Sequence, residues 1–147
     1  MTVVHCSRDL PTSPHEVWWL LSDPSRWETF VEGFAAVASR EGEWPAPGAV
    51  IEWDSTPHGR GRVRERVTVS EPDRELVVEV GEDRLDAIRR VLLGRVDGGV
   101  RVSIELNYSL HAPRWQRLIV DRLFVRRALA DSLERELDGI AVELTGR

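Results

Sequence analysis

Three charged side chains fall on patterns that are otherwise apolar, and their types and spacing could do chemistry. Glu65 has the strand parity of Val63 and Val67 within RVRERVTV (62–69), while Arg122 and Arg126 lie one turn apart in the apolar stripe of a predicted helix. A buried carboxylate needs a partner, a proton or a wet cavity. Such a polar patch inside an apolar cavity would orient a carboxylate, phenol or carbonyl of a ligand.

Arg90 could join this patch, because Ile88, Arg90 and Leu92 share one face of a predicted strand over 86–96. That strand carries arginine on both faces, so the sequence leaves its phase open. The alternative to a ligand-orienting patch is a structural ion pair, or arginines whose charged ends reach solvent at the end of the helix.

Composition excludes several kinds of chemistry. All 20 basic residues are arginine, so Schiff-base chemistry and a phosphate-loop lysine are excluded. The four histidines have no metal-ligand spacing, and Cys6 is the single cysteine. No G-x-S-x-G, H-E-x-x-H or full G-x-G-x-x-G motif occurs. We therefore expect no metal site and no cofactor.

The charge, the hydropathy pattern and the length of the chain limit which partners and which cellular location are expected. The net charge of −5 argues against general nucleic-acid binding. No apolar run approaches the roughly 18 residues of a membrane span, so we expect no stable membrane insertion. The start MTVVHCSRDL has no basic-then-apolar signal pattern, which favours a cytoplasmic protein. A length of 147 residues fits one domain over 1–147.

Hydrophobic periodicity gives the order of the elements. The pattern predicts a strand over 3–10, a helix over 14–22 capped by Thr12 or Ser13, and a short helical turn around Asp23. Period-two patterns then predict strands over 33–40, 49–55, 62–69, 76–80, 86–96 and 100–110. One long helix follows over about 114–144. This order indicates an α+β domain whose antiparallel sheet is covered on one face by the helix.

Three arginines alternate along the 62–69 strand, at Arg62, Arg64 and Arg66. A stripe for phosphate or nucleic acid is one interpretation. We favour cross-strand ion pairs on the outer face of the sheet, with Glu52 and Asp54 before the stripe and Glu75 or Glu79 after it.

Three local patterns of the sequence are distinctive. They are V-W-x-L-L-x-D (Val17, Trp18, Leu20, Leu21, Asp23), the aromatic residues Trp27 and Phe30, and the helix RRALADSLEREL with leucines 129, 133 and 137. Together they resemble the START-like or SRPBCC superfamily, within its polyketide cyclase/dehydrase and lipid-transport-like branch. The resemblance covers nearly the whole chain, and Val31 departs from it where a proline often stands. It implies a helix-grip fold, in which a curved antiparallel sheet of about six to seven strands wraps around a long C-terminal helix, with a deep cavity between them.

The leading functional expectation is cofactor-free binding of a hydrophobic or aromatic small molecule, such as a lipid, a polyketide or an isoprenoid-like compound. Binding would come mainly from apolar burial, with the polar patch fixing orientation. The expected cavity lining is Trp27, Phe30, Phe34, Trp53, Glu65, Arg90, Tyr108, Leu118, Arg122 and Arg126.

Two other functions stay open. An aromatase/cyclase would use Glu65 or Tyr108 to move protons and Arg90 to stabilise enolate charge. An interaction module with a vestigial cavity would use surface aromatic residues instead. Trp19 points to the polar face of the first helix, and WQRLIVDRLFV (115–125) is apolar on nearly all sides. Trp19, Val120 and Phe124 could thus form a homodimer or protein-partner surface. Val120 and Phe124 could also form a lid or a membrane-touching surface, or pack under a loop.

Overall fold

In a computed structural model, one seven-stranded antiparallel sheet forms most of the molecule. The structure describes residues 2–57, 59–111 and 122–146. The strands are β1 (Thr2–Leu10), β2 (Phe34–Glu41), β3 (Val50–Ser55), β4 (Arg62–Glu71), β5 (Glu75–Gly81), β6 (Leu85–Val96) and β7 (Gly99–Leu110). Their order across the sheet is β1-β7-β6-β5-β4-β3-β2, so β2 to β7 pair in sequence order and β1 pairs with β7.

Two short helices connect β1 to β2. The first, α1 (Pro14–Ser22), begins where the Ser13 hydroxyl accepts a hydrogen bond from the backbone N–H of Glu16 at 3.2 Å. A 3₁₀ helix, Pro24–Thr29, follows and is capped by the Asp23 carboxylate, which accepts from Ser25 N at 3.1 Å. The helix predicted over 14–22 is confirmed, and Ser13 is its cap.

The C-terminal helix α2 (Arg122–Thr145) covers the inner face of the sheet through Leu133, Leu137 and Ile140, which are buried. Gly139 lets α2 approach the backbone at Phe30 closely, because a Cβ at position 139 would lie 2.8 Å from the Cα of Phe30. The predicted segment 114–121 of this helix, with Leu118 and Val120, lies outside the described residues.

Strand β7 shows why one face of the sheet is the core. Its even-numbered residues from Val100 to Tyr108 are buried, and its odd-numbered residues are more accessible, as the period-two pattern predicts. The antiparallel sheet, the two short helices after β1 and the long C-terminal helix confirm the predicted α+β helix-grip fold. Within the described part of the chain, no helix is long and apolar enough to cross a membrane.

Candidate ligand-binding site

A cavity of about 700 Å³ lies between the inner face of the sheet and α2. Its volume falls within the roughly 300–1,000 Å³ of small-molecule pockets. Aliphatic side chains of β5, β6 and α2 form much of its wall, including Val78, Val80, Ala87 and Leu133. Such a wall favours apolar ligand surface through burial alone.

Aromatic side chains gather at one end of the cavity. The rings of Trp27 and Trp44 meet edge to face, with centroids 5.2 Å apart, and Phe34 packs against Trp53 at 5.2 Å. The Trp44 indole N–H donates to the carbonyl of Leu21 at 3.1 Å. The indole nitrogen of Trp27 is buried and has no hydrogen-bond partner within the described residues.

Glu65 is the acidic group that β4 places at the cavity wall. Its strand neighbours of the same parity, Val63 and Val67, are buried, so the pleat turns Glu65 inward with them. The Trp53 indole N–H donates to Glu65 Oε2 at 2.6 Å. Burial raises the pKa of Glu65 above its ordinary range, although the charge of Arg89 and the Trp53 hydrogen bond both act to lower it. Glu65 therefore keeps its proton to a higher pH than an exposed glutamate does.

Arg89 and Glu136 form a bidentate ion pair that joins β6 to α2 across the cavity. Arg89 Nη1 donates to Glu136 Oε1 at 3.2 Å, and Arg89 Nη2 donates to Glu136 Oε2. The two side chains are only 17% and 7% exposed. Burial acts to lower the pKa of Arg89, but the charge of Glu136 and its hydrogen bonds outweigh burial and raise it. Arg89 thus stays a cation held by a carboxylate.

Further ion pairs lie at the more exposed edge of the cavity. Arg60 Nε donates to Glu82 Oε2 at 2.5 Å, and the Arg60 guanidinium lies 5.1 Å from the centre of the Trp53 ring. Arg135 Nε donates to Glu32 Oε1 at 2.8 Å. Two arginines of this edge are thus paired with glutamates, and Arg84, which also lines the cavity, is exposed.

Four of the predicted lining residues lie at the cavity wall: Trp27, Phe30, Trp53 and Glu65. Phe34 is not part of the described wall, but its ring contacts those of Trp27 and Trp53. Tyr108 is buried on the inner face of β7, outside the described cavity wall. The described cavity wall thus includes the rings of Trp27, Phe30 and Trp53.

The prediction that Arg90 faces the cavity is wrong. Its Nε donates to Glu75 Oε2 on the opposite face of the sheet. The register of β6 against β7 explains the phase, because Arg89 stands opposite the inward Leu106 and Arg90 stands opposite Glu105. Cross-strand partners point to the same face of a sheet.

The prediction that Arg126 enters the cavity is also wrong. Arg126 has the helical angle of Leu133 and Leu137, but it is exposed near the start of the described helix, where α2 extends beyond its fully buried part. Leu118 and the side chain of Arg122 lie outside the described residues.

Arg89 and Glu136 are among the wall residues that the sequence analysis did not name, and the sequence carries a partial signal for both. Arg89 has the parity of Leu85, Ala87, Val91 and Leu93, whereas the other parity of the strand includes Asp86 and Gly94. Glu136 follows Leu133 by three positions and precedes Ile140 by four, which puts it on the buried stripe of α2.

The surface aromatic residues differ in their surroundings. Trp19 is 54% exposed, and the Arg26 guanidinium lies 4.6 Å from its ring centre. Phe124 is 71% exposed at the start of the described part of α2. Trp19 therefore has a cation–π contact at the surface, as part of the connection from α1 to the 3₁₀ helix.

Metal and thiol chemistry find no support among the described residues. They contain no group of three or more His, Cys, Asp or Glu side chains that could hold a metal ion. Burial, together with Glu134, raises the pKa of the Cys6 thiol to about 11, and its Sγ donates to the carbonyl of Ala130 at 3.6 Å. The raised pKa favours the protonated thiol of Cys6. Because only the thiolate is nucleophilic, Cys6 serves as a core residue.

An antiparallel sheet that grips a C-terminal helix over a lined cavity defines the START-like class of proteins. Residues 1–145 match the profile of the polyketide cyclase/dehydrase and lipid transport family, and the chain belongs to this family. No curated protein matches the sequence. Membership supports binding of a ligand or a polyketide cyclase-like function.

Solved structures show the same fold at low sequence identity. A START superfamily protein from Mycobacterium smegmatis aligns with a TM-score of 0.77 and 11% identity, over 97% of this chain and 96% of that one. The protein TTHA0849 from Thermus thermophilus aligns at 0.72 and 21%, over 95% and 94%. The di-domain aromatase/cyclase StfQ of the steffimycin biosynthetic pathway aligns at 0.76 and 12%, over 95% of this chain and 49% of StfQ.

Proposed function

We propose that the protein binds a hydrophobic or aromatic small molecule, without a cofactor, in the cavity between the sheet and α2. The observation that carries this proposal is the cavity itself, which is about 700 Å³ in volume and combines an aromatic end with aliphatic walls. Burial of ligand surface against these walls supplies affinity at about 25 cal/mol per Å² of apolar area, before the entropy lost on association.

Most charged groups of the described cavity wall are held in ion pairs with one another, so few of them are left to orient an apolar ligand. Glu65 offers its Oε1 to the ligand, because Oε2 is held by the Trp53 indole. Lipid, polyketide and isoprenoid-like compounds all combine a large apolar surface with one or a few oxygen atoms. A lined volume of this size also speaks against an interaction module whose cavity is vestigial.

A fluorescent probe for apolar sites tests the proposal. We expect neutral N-phenylnaphthylamine to bind with one site per chain, and native mass spectrometry to show small molecules that purify with the protein. Ala87→Phe, which fills the cavity from β6, should weaken the probe by about tenfold or more. The matched control is Ala38→Phe on the exposed part of β2.

Equal binding by Ala87→Phe and Ala38→Phe would contradict a site in this cavity. Unfolding curves in urea establish that each variant is folded before its binding is compared. Leu85→Phe, at another lining position of β6, provides a second filled cavity should Ala87→Phe not fold.

A cyclase-type reaction is the second candidate function, and the raised pKa of Glu65, which burial causes, favours it. A carboxylic acid in a dry cavity can donate to a carbonyl oxygen while the substrate is held in a bent conformation. Glu65→Gln retains the size of the side chain and removes its titratable proton. Unchanged turnover of a cyclisation substrate by this variant would rule out the role of Glu65 in proton transfer.

A further inference from the structure

Among the described residues, the buried and half-buried charges of the cavity wall do not leave a cation free. Arg60 and Glu82 are paired with each other. Glu65, Arg89 and Glu136 form a second cluster, which comprises two carboxyl groups and one guanidinium. With both carboxyl groups ionised, this cluster carries one excess negative charge. With a proton on Glu65, it is neutral. In neither state does this cluster leave a positive charge for the anionic group of a ligand.

The geometry of Arg89 leads to the same conclusion. Both of its terminal nitrogens donate to the Glu136 carboxylate, which occupies the two-pronged face that an arginine offers to a ligand carboxylate. Glu136 is held in place by α2, where Leu133 and Leu137 beside it are buried. The helix thus supplies a built-in carboxylate at the position where a ligand anion would otherwise bind.

The arginines at the cavity edge do not replace this lost cation. Arg60 and Arg135 are paired with Glu82 and Glu32, and their side chains are 38% and 57% exposed. Arg84 is exposed as well. Water and salt weaken the attraction of such accessible groups for an anion.

We propose that Glu136 determines the charge selectivity of the cavity, because its ion pair with Arg89 restricts the site to uncharged ligands and excludes carboxylates. This inference rests on the proposed binding function and specifies its ligand class. An uncharged ligand with a carbonyl oxygen adds no charge to the cavity, and Glu65 donates to that oxygen when it is protonated. A fatty acid or another anionic amphiphile would bury its charge beside two acidic groups.

A pair of probes of nearly equal shape tests this selectivity. Acetylnaphthalene and naphthoate differ by a methyl group in place of a charged oxygen, and each is titrated against bound N-phenylnaphthylamine at neutral pH. We expect wild-type protein to bind naphthoate at least about tenfold more weakly than acetylnaphthalene. Equal affinities would overturn the selectivity and leave the binding function standing. Failure of N-phenylnaphthylamine itself to bind would overturn both.

Glu136→Gln frees the Arg89 guanidinium and should improve naphthoate binding by about tenfold or more while acetylnaphthalene changes little. The matched control is Glu143→Gln, which removes the same charge from α2 at an ion pair with Arg26, outside the described cavity wall. Glu143→Gln should keep the wild-type ratio of affinities. An equal shift of this ratio in both variants would mean that net charge, and not Glu136, determines selectivity.

A double variant covers the case in which Glu136→Gln does not fold. Arg89→Met combined with Glu136→Leu removes both charges, so it should bind acetylnaphthalene and still reject naphthoate. A gain of naphthoate affinity in this variant would overturn the proposal, because it would occur without the freed cation that the proposal requires.

Discussion

Arginine–carboxylate pairs lie on both faces of the sheet, and the two faces use them differently. On the outer face, Arg62 Nε donates to Asp54 Oδ1 at 2.9 Å, with side chains 57% and 48% exposed. On the inner face, Arg89 and Glu136 are almost enclosed. Water solvates the charges of the outer pair even when the pair is broken. The charges of the inner pair are largely shielded from water, so each depends on the other for stabilisation. The same chemistry therefore contributes little outside and becomes obligatory inside.

The three alternating arginines of β4, Arg62, Arg64 and Arg66, form ion pairs on the outer face of the sheet. Arg64 lies 3.7 Å from Glu52 and Arg66 lies 3.6 Å from Glu79, so each arginine of the stripe has an acidic neighbour across the sheet. The predicted cross-strand pairing is confirmed. A stripe neutralised in this way offers no continuous positive surface to a phosphate backbone.

Breaking the inner pair on one side should have the largest effect. Arg89→Met leaves the Glu136 carboxylate buried without its cation, which should cost about 3–5 kcal/mol in the free energy of unfolding. Adding Glu136→Leu should restore most of this loss, because neither charge then remains buried. Urea unfolding of both singles and the double variant measures the coupling between the two residues.

The outer pair provides the control for this comparison. Arg62→Ala should change the free energy of unfolding by about 0–1 kcal/mol, and about 1 M salt should remove most of that change. The loss in Arg89→Met should persist in the same salt, since the buried pair is screened much less. A loss below about 1 kcal/mol for Arg89→Met would place both pairs in one class and contradict the distinction.

A smaller effect is expected in the pH dependence of folding stability, which should have opposite signs for a carboxyl group on the inner face and one on the outer face. Burial raises the folded-state pKa of Glu65 above its ordinary 4.5, so stability should fall as pH rises from there through the folded-state value. A hydrogen bond from Arg101 lowers the pKa of Asp9 on the outer face below its ordinary 3.8, so stability should fall as pH drops toward and below that value.

Urea unfolding at a series of pH values checks both signs. Glu65→Gln should remove the decline on the rising-pH side, and Asp9→Asn should reduce the decline in acid. A pH profile that Glu65→Gln leaves unchanged would show that Glu65 titrates alike in the folded and unfolded chain.

Local patterns were sufficient for the elements and for part of the site. Ser13 and Pro14 mark the start of α1, and the alternation from Val100 to Tyr108 marks the inner face of β7. Trp27 and Trp53 were assigned to the cavity from a family motif and from strand parity. These features depend on neighbours within a few residues, which sequence shows directly.

Arg90 shows where local reasoning fails. Two adjacent arginines on β6 give either face a charged residue, and both parities contain apolar side chains. The hydrogen-bonded register against β7 selects the phase, and a shift of one residue would exchange Arg89 for Arg90 in the cavity. Sequence distance hid the partner as well, since Arg89 and Glu136 are 47 positions apart.

The sequence by itself determined the order of elements, the helix-grip family, the apolar face of the sheet and the inward position of Glu65, because each follows from short-range periodicity or a local motif. Only the tertiary structure decided which arginine enters the cavity and that a carboxylate of α2 neutralises it. Strand register and helix docking bring these groups together over long sequence separations. The strength of their interaction then depends on burial, which no single segment of the chain specifies.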